Sequence, residues 1–476
     1  MTCLGELRAY DVLTMTAQHL AADEPFFRQW STRDNLPRTL ISSKTLIKLL
    51  DFTPPPSIAV VGSKGKGTTL AALSVGISLE GFNAVSIMSP PFRTNRERIR
   101  LNGTAIDQDT YHQISDRLAE LLPYLPADHY LSPAGAYTVM GAWWASQIGA
   151  DVLVVEEGMG GGTDEVSLFS HIALGVTPIF FEHGGILGNT VPEIARNLIS
   201  AGSSSVEIIA SAPQSEDVAN IMTASAEQWG AHVLTPPPAS HLNPLIGQSV
   251  GLGAGLAKAV TPLLTSTKHG LHSDTCCKIS GQSESLTHSS GAGNALAEPH
   301  ELQPDLVGIL NLPGRSSQHV LSSPKDHVTD IHRGKDVALG TGTDCRVGSR
   351  PVAGKGGGTW FVDAAITPDA VRAALQAADM PEATVVCCWP LTKDRNGCLE
   401  LVPGAYEVKA GHGLPFAEGL PEFRDIMADL EEDVIALGTI SFVGEVLDYL
   451  GAETDSWIGH NTQTGSCEPD ILDINN

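Results

Sequence analysis

The chain carries few cations for its size. It has 29 Lys and Arg against 54 Asp and Glu, a formal net charge of −25, and no lysine between Lys66 and Lys258. So strong an acidic excess argues against nonspecific attraction to nucleic acid or to an anionic membrane, and a site for an anion must gather its cations locally. The eight cysteines form no CxxC pair and no metal-ligand spacing, which excludes a zinc ribbon and points to reduced structural thiols. No apolar run reaches the roughly 18 residues of a membrane span, and the first residues lack a signal-like apolar stretch, so the cytoplasm is the expected compartment. No internal repeat is visible.

Short apolar runs alternate with helical patterns. Strands are expected at Ser57–Val61, Asn83–Met88, Asp151–Glu156, Ile172–Thr177 and Val206–Ser211, and helices at Thr68–Leu79 and Tyr111–Leu122. That alternation predicts an α/β fold with a mostly parallel sheet. Residues 265–304, rich in Ser, Thr, Gly and His without period, read as a surface insertion, and 319–358 as a second irregular stretch. The pattern then returns, with a strand at Thr359–Val362 and helices near Asp369–Ala378 and Phe442–Leu450. A chain of 476 residues exceeds one ordinary core. The expected division is 1–310 and 311–476: an N-terminal P-loop-type parallel-sheet ATPase domain and a smaller, Rossmann-like α/β domain.

The stretch "IAVVGSKGKGTTLAAL" supplies the first chemistry. Gly62, Ser63, Gly65, Lys66, Gly67, Thr68 and Thr69 lie between a strand and a helix. There, glycines let backbone N–H groups converge on an anion, and the helix N-terminus adds its positive end. Lys66 is placed to meet terminal phosphates, and the Thr68 hydroxyl to meet Mg²⁺. Lys64 reads as solvated.

"GSKGKGTT" is similar to the GTNGKGS loop of the folylpolyglutamate synthase and dihydrofolate synthase family, within the Mur ligase superfamily. Further segments resemble that family in order. "SPPFRTNRERIRLNG" from Ser89 resembles SPHL…ERIRING, and "EEGMGGGTD" from Glu156 resembles EVGLGGRLD. "FEHGGILGNT" from Phe181 is similar to LDHT..LGDT, "LPGR" at Leu312–Arg315 to WPGR, and "FVDAAITPDAVRAAL" from Phe361 to LDGAHNPEAARAL. The resemblance implies an ATP-dependent ligase that activates a carboxylate as an acyl phosphate and couples it to an amino acid, with ATP and Mg²⁺ as cofactors. It implies small-molecule substrates (folate or folylpolyglutamate and L-glutamate), no nucleic-acid or membrane partner, and a monomer or weak oligomer. By the same resemblance Lys66, Glu156 and His183 are catalytic, Thr68, Ser89, Glu156 and His183 hold metal, and Arg315 and Asp363 contact nucleotide.

The sequence departs from the family where function concentrates. The family's carbamylated lysine falls at Leu198. The His and Asn of DGAHNP become Ile366 and Thr367, the Arg of GGRLD becomes Gly162, and an FE pair becomes Ala134-Gly135. The Asn expected near Gly251 is missing, while Gln248 is retained. The alternatives are therefore a relative that ligates a non-folate substrate, or a nucleotide-binding pseudoenzyme acting through a partner. A plain P-loop ATPase leaves the second-half motifs unexplained.

Overall fold

The computed structural model describes residues 23–29, 36, 39–276 (except 184, 241 and 243), 310, 317–322, 352–353 and 359–458 (except 392, 411–414, 428–429, 431–432, 451 and 453). Two sheets organise them. The first has eight strands in the order β4-β3-β2-β5-β1-β6-β7-β8. These are β1 Ser57–Val61, β2 Ala84–Ile87, β3 Ile99–Leu101, β4 Thr104–Ala105, β5 Val152–Glu156, β6 His171–Val176, β7 Ile208–Ser211 and β8 His232–Leu234. From β2 to β8 in that order every pairing is parallel, and only β3 and β4 join antiparallel. β1, β2 and β5 are buried along their whole length, and helices cover both faces. The chain leaves β1 for β2 on one side and later returns to β6 on the other. The carboxyl end of β1 thus lies at the switch point where open α/β sheets take ligands.

The second sheet runs β10-β9-β11-β14-β12-β13, from β9 Ser317–Ser322, β10 Val352–Ala353, β11 Thr359–Asp363, β12 Thr384–Cys388, β13 Tyr406–Glu407 and β14 Val434–Gly438. It is parallel except where β9 meets β11. The expected strands and helices all occur, within three residues at their ends. Two stretches differ from the sequence reading. A helix runs unbroken from Pro244 to Cys276, carrying regular structure into the first expected insertion, while β9 runs into the second and β10 lies within it. Low-complexity composition had masked both. Cys387, Cys388 and Cys398 are buried free thiols, as expected for core cysteines, and burial pushes Cys388 up to about 12.

Residues 454–457 fold back on the first sheet. Arg100, fully buried, donates to the carbonyls of Thr454 and Asp455 and stacks its guanidinium 4.5 Å from the Trp457 ring. Arg96 pairs with Asp455, and Arg93 with Asp448 on the last helix, Ile440–Tyr449.

One buried group makes stability depend on pH. His171 begins β6, and its Nε2 lies 2.8 Å from the Val166 carbonyl. Burial pulls its pKa down to about 4, partly offset by that hydrogen bond. In the unfolded chain the ring takes a proton near 6.5. Stability from this group is therefore complete above about pH 6.5 and is lost as pH falls from there towards 4, by roughly 3 kcal/mol. Denaturant titrations of wild type and His171→Gln across pH 7 to 4 check this. The wild-type curve should fall more steeply, and parallel curves would contradict it.

Candidate functional site

Four neighbouring parallel strands, β2, β5, β1 and β6, each release a loop at the same edge of the first sheet. β1 is followed by Gly62, whose φ is 128°, and Gly65 has a φ of 93°, a conformation that side chains resist. A Cβ at Gly62 would strike Thr177, and one at Gly65 would strike the Ser249 hydroxyl. The loop is thus pressed between the end of β6 and the helix Pro244–Cys276, and Ser63 is clamped to Pro178 and Phe180 through backbone and hydroxyl contacts. The helix Lys66–Leu79 starts immediately, with Thr69 N–H bonded to the Gly65 carbonyl and the Thr69 hydroxyl to the Ser249 carbonyl at 3.1 Å. Thr68 is buried at the start of this helix.

Lys66 bends back towards the sheet. Its Nζ donates to the Gly62 carbonyl at 2.6 Å and lies 3.5 Å from Glu157 Oε2. Burial lowers its pKa, but Glu157, Glu156 and Glu182 together outweigh that, and the ammonium stays charged. Glu157 is 2% exposed, and burial raises its pKa despite Lys66. The Lys66 shift runs upward because of its three carboxylate neighbours, and the Glu157 shift chiefly because of burial, with Asp164 and Glu182 adding to it.

Ser89 and Glu156 meet. The Ser89 backbone N–H donates to Glu156 Oε2 at 3.0 Å, and Arg98 holds the Ser89 hydroxyl at 2.9 Å. Arg98 is positioned in turn by Asn95 and the face of Tyr137, and Tyr137 by Tyr111, whose hydroxyl bonds Asp23. His183 lies on an exposed loop, with φ 45° and its carbonyl accepting from Ile186 and Leu187. No group of three or more His, Cys, Asp or Glu placed to hold a metal occurs among the described residues.

A cleft of about 410 Å³ opens over the Gly62 loop and is walled from both sheets. Lys64, Gly65, Thr68, Phe180, Phe181, Gln248 and Ser249 face Asp363, Ala364 and Thr367 across it. Asp363 ends β11, and Thr367 caps the helix Pro368–Ala378 through the Ala370 N–H. Arg315 lies outside the described residues. Sequence reasoning passed over Arg98, Phe180 and Phe181, and gave Glu157 no role. The signal available for Glu157 was its neighbour: consecutive acids at a strand end diverge, so one of them turns towards the adjoining loop.

The departures from the family have structural counterparts. Leu198 is fully buried on the helix Val191–Ile199 beside Ile194 and Ala195. A Cβ at Gly135 would strike the Glu165 carboxylate, one at Gly162 the Ser200 hydroxyl, and one at Gly251 the Pro237 carbonyl. No longer side chain fits at those three places without rearrangement. Ile366 packs against the core of the second sheet.

Fold and loop define a two-domain α/β protein whose glycine loop opens into a cleft shared by both sheets. More particularly, its fold is similar to that of solved folylpolyglutamate synthases, and part of its sequence is similar to proteins of that name. A folylpolyglutamate synthase structure with AMPPCP superposes with a TM-score of 0.63 at 15% identity, covering 89% of this chain and 99% of that one. The Mycobacterium tuberculosis enzyme with ADP and AMPPCP gives 0.61 at 16% identity over 88% and 96%. In sequence, the chain is 36% identical over 143 residues to a probable bifunctional folylpolyglutamate synthase/dihydropteroate synthase of Haloferax volcanii, a match covering 29% of this chain and 17% of that protein. It is 27% identical over 161 residues to the dihydrofolate synthase/folylpolyglutamate synthase of Bacillus subtilis, covering 33% of this chain and 37% of that protein. The matches thus span well under half the length of these curated relatives. No family model matches the chain. Among the described residues, no helix is long and apolar enough to cross a membrane.

Proposed function

We propose that the chain is an ATP-dependent carboxylate–amine ligase, joining folate or a folylpolyglutamate to L-glutamate. The observation that carries this reading is the cleft, walled on one side by Lys64, Gly65 and Thr68 and on the other by Asp363 and Thr367. The similarity to proteins named folylpolyglutamate synthase, one solved with AMPPCP and folate, supplies the substrate class.

In this reading the loop from Gly62 to Thr69 cradles the phosphates through its backbone N–H groups. Lys66 neutralises the terminal phosphate, and Asp363 meets the nucleotide from the second sheet. Mg²⁺ fits the donors present: Thr68, Ser89 and Glu156 offer hard oxygen atoms, and Glu156 already lies against Ser89. His183 would complete the set from its loop. Bound there, the ion would neutralise phosphate oxygens. Arg98 keeps the Ser89 hydroxyl fixed. A substrate carboxylate oxygen attacks the γ-phosphorus and ADP leaves. The amine then attacks the acyl carbon, and phosphate departs carrying that carboxylate oxygen. The two sheets, closing on the cleft, exclude water from the acyl phosphate.

Carboxylate labelled with ¹⁸O tests the chemistry: one label per turnover should appear in inorganic phosphate. Unlabelled phosphate would show hydrolysis of ATP without acyl transfer. A second reading, nucleotide binding without ligation, is favoured by Leu198 and Ile366, which put apolar side chains where the family resemblance expects polar groups. In that case ADP and ATP bind and no phosphate forms.

A further inference from the structure

Glu157 does no work in the reading above, yet it is the group closest to the loop lysine from the neighbouring strand. It follows β5 directly, and its backbone N–H continues the ladder to the Val60 carbonyl, so its place is fixed by the sheet. One carboxylate oxygen accepts from the Gly160 N–H at 2.6 Å. The other, Oε2, is buried without a hydrogen bond and lies 3.5 Å from Lys66 Nζ. A buried carboxylate oxygen lacking a hydrogen bond is costly, and the ammonium of Lys66 offsets part of that cost. The motif this segment resembles has Val at that position, so the carboxylate belongs to this chain and not to the pattern.

We propose that Glu157 is a counter-ion that competes with nucleotide phosphate for Lys66, so that Lys66 is held against the sheet in the free protein and is released to the terminal phosphates on binding. The inference rests on the nucleotide reading of the Gly62 loop. Its consequence is weaker capture of di- and triphosphates. The anion that holds Lys66 stays in place when phosphate arrives, so it repels the incoming charge and takes the lysine back when ADP leaves.

Glu157→Gln removes the charge and keeps an oxygen for the Gly160 N–H. Calorimetry with the full chain should show ADP and ATP binding about tenfold tighter than wild type, the scale of one unit charge a few ångström away at a partly screened site. AMP binding should be unchanged, because AMP has no phosphate at the Lys66 position. In a Lys66→Met background the gain should shrink to what direct repulsion of phosphate by Glu157 leaves, since the cycle isolates the pair. Glu157→Val serves the same comparison if the Gln variant melts early. Weaker binding of ADP by both variants would show that Glu157 only supports the loop, and equal shifts for ADP and AMP would show a general change of the cleft; either overturns the inference. Wild-type protein that binds no ADP would instead overturn the ligase reading and this one with it. Wild-type binding with an unmoved ADP affinity in Glu157→Gln would overturn this inference alone.

Discussion

Lys66→Ala is expected to lose at least about a hundredfold in turnover, with ADP and ATP bound more weakly and thermal stability changed little. The loss follows from the proposed role: a preorganised cation facing charge that grows in the transition state contributes on this scale. The small stability change follows from the structure. Lys66 opens the helix Lys66–Leu79 at its first position, where Ala is a good helix residue, and its side chain fills no core. The variant also leaves Glu157 without its nearest cation; that removes an influence that lowers its pKa, already raised by burial, and so favours the neutral form, which limits the cost. Steady-state ADP release alongside a melting curve checks both halves. Unchanged turnover and affinity would remove the phosphate role of the loop. A melt lowered by many degrees would make Lys66 a structural residue.

Leu198→Lys is expected to unfold the N-terminal part of the protein before it improves any activity. On sequence alone, this change restores the lysine that the resembled family carbamylates, and some gain in rate is the natural expectation. The structure reverses that expectation. Leu198 is fully buried in the largest apolar cluster, beside Ile194 and Ala195. Placing an ammonium there forfeits the packing of a buried Leu, about 2–5 kcal/mol, and adds a desolvation cost of several kcal/mol. A drop of roughly 10 °C or more in melting temperature is the expected result. A folded variant whose ligation rises on adding bicarbonate would show that the helix Val191–Ile199 can turn that side chain towards the site.

Much of the fold was legible because its signals are local. Five buried strands between turn residues, and a glycine loop set between β1 and the helix at Lys66, are patterns that a linear reading can count. The convergence of Ser89 and Glu156 follows from their strands being neighbours, which the resemblance implied before the sheet order was known. What stayed hidden was pairwise. That Lys66 turns to Glu157, that Arg98 anchors Ser89, and that Phe180 and Phe181 wall the cleft all depend on which loop ends face one another across the sheet edge. The glycines at 135, 162 and 251 read as lost side chains. In the structure the space at each is taken by a neighbour distant in sequence: Glu165, Ser200 and Pro237. The helix beyond Thr265 was hidden for another reason: its Ser, Thr and His content carries little helical periodicity, and it extends a well-packed helix that begins at Pro244.

The most direct measurement is of product and nucleotide together. Purified protein with MgATP, folate or folylpolyglutamate, and L-glutamate, with and without bicarbonate, is followed by ADP release and product mass. The account predicts ADP formed only when both substrates are present, one glutamate added per ADP, and no response to bicarbonate, because Leu198 cannot be carbamylated. ADP release that needs neither substrate, or bound nucleotide with no mass gain across a panel of carboxylates and amino acids, would contradict it.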